Sequence, residues 1–170
     1  MTRYLAKGRR EEEAMSYQAE LESYLREQGV AFETQRHATA FTAQEVAATE
    51  HVPGRMFAKV VMVEADGSLA MLALPAPARV SVEEARQTLG AEELRLAEEE
   101  EFAERFEGCE VGAMSPLGNL HDLPVYVDQE LAEQETIVFQ AGTHRDTISM
   151  RYADFERLVG PRVGVLSYPR

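Results

Sequence analysis

The chain has 170 residues and a mass of 19.0 kDa, and 45% of its residues are hydrophobic, which suffices for one domain with its own core. A single cysteine, Cys109, excludes an internal disulfide framework and a multi-cysteine metal site. The net charge of −13 disfavours non-specific binding to nucleic acid, and no apolar run reaches the roughly 18 residues of a membrane helix. These properties predict a cytoplasmic protein that makes no contact with a membrane.

The N-terminal segment 1–14 is polar and precedes a second methionine, Met15. We expect this segment to be a disordered extension, a stretch before an alternative start, or a remnant of cloning. Residues 15–170 are then expected to form one domain, because no linker, internal repeat or change of composition divides them.

The spacing of apolar residues predicts the elements of the first half of the chain. A helix is expected from Ser16 to Gly29, because apolar residues there recur every three or four positions. A strand is expected over 30–36, and the capping box that begins at Thr42 opens a short helix to about residue 50. The apolar run 56–64 predicts a buried strand, which the turn Asp66-Gly67 joins to a return strand over 68–74.

The second half alternates between helices and strands. Helices are expected from the capping box at Ser81 to Gly90, over 98–106 and over 153–159. Strands are expected over 125–127, 136–140, 147–151 and 163–166, and a loop rich in Gly and Pro over 112–118. Six or seven strands and five short helices, mixed along one chain, predict a mixed α/β (α+β) domain.

Lys59 is the most unusual residue of the pattern. It is the only lysine after residue 14, and it lies inside an apolar strand. Burying an ammonium group without partners is costly, so Lys59 either reaches an edge of the sheet, where it forms an ion pair, or points into a polar pocket. In a pocket it would be a fixed cation for a carbonyl or phosphate oxygen. Strand alternation places it on one face with Val61 and Val63.

Two further segments contain candidate functional groups. The loop Gly112–Gly118 combines Gly and Pro into a rigid turn whose backbone N–H groups can hold an anion, although such loops are more often connectors. Gly142-Thr143-His144 lies between two predicted strands, and His144 is either a ligand-binding group or an ordinary turn histidine. No standard nucleophile or metal-ligand spacing is present, and Cys109 has no neighbour that would stabilise a thiolate.

Four segments, in order, resemble the motifs of the YbaK-type aminoacyl-tRNA deacylases, the domain that some bacterial prolyl-tRNA synthetases carry as an editing insertion. The segments are HATAFTAQEVA over 37–47, FAKVV over 57–61, the G-x-x-x-P loop Gly112–Pro116, and Ala141–His144. The resemblance covers residues 16–168. It implies a mixed α/β fold with a curved, largely antiparallel sheet of six or seven strands flanked by short helices.

The resemblance also implies an activity, namely hydrolysis of the ester between an amino acid and the terminal ribose of a mischarged tRNA, with neither cofactor nor metal. In such enzymes the lysine steadies the aminoacyl group, the G-x-x-x-P loop positions it, and a ribose hydroxyl of the substrate assists the attacking water. The catalytic residues implied are Lys59, Gly112 and Pro116. The substrate-binding residues implied are Phe41, Val46, Ala113, Met114, Ser115, Gly142, Thr143 and His144.

The implied partner is the 3′ acceptor end of a mischarged tRNA, and an aminoacyl-tRNA synthetase or an elongation factor is a further possible partner. Proximity to the motifs suggests Arg55, Arg79 and Arg145 as contacts to phosphates. The leading hypothesis is therefore a free-standing trans-editing hydrolase. The alternative is a non-catalytic module of the same fold that binds an aminoacyl or nucleotide ligand.

Overall fold

A computed structural model describes residues 17–38 and 42–169. The predicted extension 1–14 and the predicted cap at Ser16 lie outside the described residues. Helix α1 covers residues 17–27 and buries the predicted apolar face, in which Leu21 and Leu25 are almost inaccessible to solvent. The chain leaves this helix at Gly29 with a φ of +70°, a conformation that favours glycine.

The remaining elements follow the predicted order closely. The helices are α2 (Ala43–Thr49), α3 (Val82–Leu89), α4 (Glu99–Phe102), α5 (Gln129–Ala132) and α6 (Tyr152–Val159), and 3₁₀ helices cover Gly54–Met56, Ala103–Phe106 and Gly118–His121. The strands are β1 (Phe32–Arg36), β2 (Ala58–Ala65), β3 (Ser68–Pro75), β4 (Leu94–Leu96), β5 (Val125–Asp128), β6 (Thr136–Gln140), β7 (Asp146–Arg151) and β8 (Arg162–Gly164). The predicted mixed α/β fold is confirmed.

The strands form two sheets. The smaller sheet has the order β1-β7-β6 and is antiparallel throughout, and the larger has the order β4-β2-β3-β5-β8. In the larger sheet β4, β2 and β3 are antiparallel, whereas β3, β5 and β8 run parallel. A parallel bridge between Phe57 and Val138 links the two sheets.

Local signals in the sequence account for several boundaries. The side chain of Ser81 accepts a hydrogen bond from the backbone N–H of Glu84 at the start of α3, and Gly90 ends that helix with a left-handed conformation. Asp66 and Gly67 form the hairpin turn with φ values of +50° and +86°. The predicted helix 98–106 is instead the one-turn α4 followed by a 3₁₀ turn that ends at Phe106.

Strand β2 separates two parts of the core. Ala58 and Met62 face the main core, which also contains α1 and α6, whereas Val61 and Val63 face a second cluster. The second cluster contains Leu72, Leu74, Ala78 and Leu166. The predicted alternation along β2 is therefore present. None of the helices in the described ranges has the length and apolar composition needed to span a membrane.

Candidate functional site

The loop Gly112–Pro116 is much more buried than a connector. Gly112 is exposed and has a φ of +79°, but Ala113 and Ser115 are inaccessible to solvent and Met114 is 8% exposed. Beyond Gly112 the loop therefore lies inside the protein. The reason is hydrophobic, because Met114 and the following Leu117 pack into the main core.

The loop and the segment Gly142–His144 form one unit through their main chains. The N–H of Gly142 donates a hydrogen bond to the carbonyl of Ala113 at 2.9 Å, and its carbonyl accepts one from the N–H of Glu110 at 2.8 Å. Two segments that are separate in the sequence are thus fixed to each other by the backbone. Two of the four motifs singled out from the sequence are therefore brought together here.

His144 strengthens this connection through its ring. The side chain is largely buried, and Nε2 lies 2.6 Å from the carbonyl oxygen of Val111. A carbonyl only accepts hydrogen bonds, so Nε2 of His144 carries a proton and donates it to Val111. A Cβ on Gly112 would lie 3.7 Å from Cε1 of His144, which places the ring directly beside the start of the loop.

Thr143 shapes the turn that presents His144. Its hydroxyl donates to Oδ2 of Asp146 at 2.6 Å and accepts hydrogen bonds from the backbone N–H groups of Arg145 and Asp146. Such side-chain bonds to nearby backbone stabilise a tight turn. Thr143 therefore has a clear structural role, and its contact with substrate stays a prediction.

Lys59 lies apart from this unit. Its ammonium group donates a hydrogen bond to the carbonyl of Ala78, in the connection that follows β3, and the residue is partly buried. It shares the β2 face of Val61 and Val63, whereas Met114 packs against the opposite face in the main core. The ammonium group of Lys59 is thus held by a backbone carbonyl. A part for Lys59 in a reaction stays a prediction.

The other predicted contact residues are distributed around the domain. Phe41 lies outside the described residues. Val46 is fully buried in a small cluster with Phe57 and Val138, so its present contacts are those of a core residue. The guanidinium carbon of Arg79 lies 5.6 Å from the ring centroid of Tyr168. Contacts of the three predicted arginines with phosphates stay predictions.

A buried polar group beside the turn was not anticipated. Nε2 of His37 lies 3.2 Å from Oε2 of Glu50, and the two side chains are only 4% and 1% exposed. Nδ1 of His37 lies 2.6 Å from the carbonyl of Ala38 and therefore carries a proton, and the hydroxyl of Thr147 donates to the Glu50 carboxylate. The backbone N–H of His37 also donates to the carbonyl of Arg145, next to His144. The sequence does not reveal this group, because residues 37, 50 and 147 are far apart along the chain and none of them has an unusual local pattern.

Glu50 gives the stability a defined pH dependence. Burial raises the pKa of its carboxyl above the usual value of 4.5, against the smaller opposing effects of the Thr147 hydrogen bond and the His37 ring. The folded state then binds the carboxyl proton of Glu50 more tightly than the unfolded chain does. The protonated carboxyl therefore adds to the free energy of unfolding, fully below about pH 4.5, and this addition is lost as the pH rises through the raised pKa. We expect Glu50→Gln to remove it.

The test is urea unfolding at several pH values between about 4 and 7. The free energy of unfolding of the wild type, minus that of Glu50→Gln, should decline as the pH rises. Glu27→Gln, which removes an exposed carboxylate from α1, is the control and should show a smaller change. A difference for Glu50→Gln that is independent of pH would contradict the expectation.

The described part of the chain contains neither an activated thiol nor a group of metal ligands. Burial, followed by the nearby charge of Glu110, raises the pKa of the Cys109 thiol to about 12, so almost no thiolate exists at neutral pH. Within residues 17–38 and 42–169, no three His, Cys, Asp or Glu side chains are grouped as metal ligands.

Residues 37–158 match the family of aminoacyl-tRNA editing domains. The chain belongs to this family. The matched range contains Lys59, the loop Gly112–Pro116 and the turn Gly142–His144, so every motif taken from the resemblance lies inside the aminoacyl-tRNA editing domain. Membership assigns the chain to aminoacyl-tRNA editing, and the resemblance is confirmed at this level.

Several solved structures share the fold of this chain. A scaffold protein from work on computational epitope grafting superposes with a TM-score of 0.77 at 20% identity, covering 93% of this chain and 98% of its own. A protein described as hypothetical superposes with a TM-score of 0.77 at 19% sequence identity, and the match covers 87% of this chain and 99% of that protein. A candidate trans-editing enzyme for prolyl-tRNA synthetase superposes with a TM-score of 0.73 at 20% sequence identity, and the match covers 90% of this chain and 98% of that protein. At these identities the likeness establishes the fold alone, and no curated protein sequence matches the chain.

Proposed function

We propose that this editing domain is a free-standing hydrolase that cleaves the ester between an amino acid and the terminal ribose of a mischarged tRNA. The observation that supports it best is the joining of the Gly112–Pro116 loop to the Gly142–His144 turn inside a domain of the editing family. A rigid main-chain unit is suited to holding a substrate in one orientation, which is a major source of catalysis without a nucleophile.

The chemistry proposed is direct attack by water on the ester carbon. The carbonyl oxygen gains negative charge as the new C–O bond forms, and backbone N–H groups can stabilise that charge. Three backbone N–H groups of this region donate hydrogen bonds within the protein, those of Ala113, Ser115 and Leu117. The N–H groups of Gly112 and Met114 are not the donors of these three bonds. The ribose oxygen then leaves with a proton. By the family resemblance, a neighbouring ribose hydroxyl assists the water, and Lys59 steadies the aminoacyl group.

The negative charge of the domain restricts how it meets tRNA. With a net charge of −13, long-range attraction to a whole tRNA is not available, so contact with the 3′ acceptor end alone fits best. We propose that an aminoacyl-tRNA synthetase or an elongation factor supplies additional affinity, and that the encounter takes place in the cytoplasm.

The decisive experiment is incubation of the protein with a panel of tRNAs, each charged with a wrong amino acid, followed by measurement of amino-acid release. Release from one or a few members of the panel is the expected result. No release from any member, together with tight binding of an aminoacyl or nucleotide ligand, would instead indicate a non-catalytic binding module.

Cys109→Ser and treatment with a chelator are both expected to leave the deacylation rate unchanged. The thiol is protonated at neutral pH, and the described residues contain no ligand cluster for a metal. The rate is measured on the best substrate of the panel, before and after dialysis against a chelator. A loss of activity that added metal restores would reveal a metal site.

A further inference from the structure

Tyr17 links helix α1 to the loop of the proposed site. It lies at the start of the described part of α1 and is 4% exposed. Its hydroxyl accepts a hydrogen bond from the backbone N–H of Ser115 at 3.2 Å and donates to the Ser115 Oγ at 3.4 Å. Ser115 Oγ also accepts from the N–H of Leu117 at 3.3 Å, so one tyrosine hydroxyl stabilises the second half of the loop.

The ring of Tyr17 contacts the other half of the unit. A Cβ added to Gly142 would lie 2.3 Å from Cδ1 of Tyr17, a distance that no side chain tolerates. Gly142, with a φ of +94°, is thus the residue type that this close approach requires. The ring also stacks on His121, with 5.8 Å between centroids and 10° between planes. The ring is therefore held firmly against the turn.

The hydroxyl of Tyr17 is protonated and can therefore form both of its bonds to Ser115. Burial raises the pKa of its hydroxyl to about 12, against the smaller opposing effect of the bonds to Ser115. The hydroxyl therefore stays protonated across the physiological range, and it can donate and accept at the same time.

We propose that Tyr17 is a positioning residue for editing, because its hydroxyl orients Ser115 and its ring sets the position of Gly142. This inference rests on the proposed function, since the two segments that Tyr17 contacts are the proposed site. Tyr17 makes the two segments move as one body, and it keeps the exposed start of the loop at Gly112 in place beside His144. Nothing in the motif pattern assigns it this role, because it precedes the first motif by 20 positions.

The test compares Tyr17→Phe with Tyr24→Phe. Tyr24 lies on the same helix, and its hydroxyl accepts a hydrogen bond at 3.0 Å from Nδ2 of Asn119, in the 3₁₀ helix that follows Pro116, and not from Ser115. Each variant loses one hydroxyl and keeps its ring, so similar small losses of melting temperature are expected. Tyr17→Phe should lower kcat by ~10-fold to 10²-fold with little change in KM, whereas Tyr24→Phe should stay close to wild type in both. Equal kcat values for the two variants would overturn the proposal.

A second measurement does not depend on activity. Hydrogen exchange of the Ser115 amide should accelerate in Tyr17→Phe and stay unchanged in Tyr24→Phe, because only the first variant removes its acceptor. If the wild type releases no amino acid, the proposed function fails, and the exchange rate alone decides whether Tyr17 holds the loop. Should Tyr17→Phe melt below the assay temperature, Ser115→Ala removes the other end of the 3.4 Å bond and is compared in its place.

Discussion

Lys59→Ala is expected to lower the rate of amino-acid release by ~10²-fold to 10³-fold, the usual effect of removing one preorganised electrostatic contact. The fold should survive, because Lys59 is only partly buried, although the variant loses the hydrogen bond to the carbonyl of Ala78. The loss of stability should be about 1 kcal/mol. Single-turnover deacylation and urea unfolding, measured side by side, check both parts.

Two further substitutions separate charge from packing at this position. Lys59→Met keeps most of the aliphatic stem and should be as slow as Lys59→Ala. Lys59→Arg keeps the charge but replaces a compact ammonium by a planar guanidinium, and we expect it to be slow as well. A normal rate in Lys59→Ala would show that the cation has no part in the reaction, and the role of the residue would then be structural, as in its bond to the carbonyl of Ala78.

Gly112→Val is expected to reduce turnover at least ~10²-fold, because it adds bulk beside His144, where we propose that the ester approaches the main chain. Stability should also fall, since Gly112 has a φ of +79° that a β-branched residue adopts only with strain. Pro116→Ala should have a smaller effect on turnover, because it loosens the loop without filling the space next to Gly112.

A matched pair of alanine variants isolates the effect on the site. Gly112→Ala and Gly67→Ala both place a Cβ at a φ near +80°, and each should lose roughly 1–2 kcal/mol of stability. Only Gly112 has His144 within 4 Å of the added carbon, whereas Gly67 lies in the open hairpin turn between β2 and β3. Lower turnover in Gly112→Ala alone identifies a loop that serves the reaction. Equal turnover in the two variants would identify an ordinary connector.

Features set by neighbours in the sequence were predictable. The buried face of α1 follows from its apolar spacing, and the cap at Ser81 and the turn at Asp66-Gly67 each depend on a few adjacent residues. The alternation of β2 was predictable for the same reason. The sequence also placed Lys59 on the correct face of that strand.

Features set by distant contacts were not predictable. The edge strand Leu94–Leu96 has three residues and no clear apolar alternation, and its position comes from pairing with β2. The pair His37–Glu50 exists only because β1 and α2 are folded together, and the burial of Ser115 depends on Tyr17. Within the site, the family motifs located the loop and the turn, but the residue that joins them had no motif of its own.

The bond between Tyr17 and Ser115 joins residues 98 positions apart, and β1 finds its partner in β7, near the end of the domain. Contacts this distant in sequence form late and slowly in folding. On the ribosome, the first strand must therefore wait until almost the whole domain has been synthesised. A nascent chain that ends before β7 lacks the partner strand of β1. The loop Gly112–Pro116 and the turn Gly142–His144 likewise come together only after Gly142 has been synthesised, so the proposed site forms late in the synthesis of the domain.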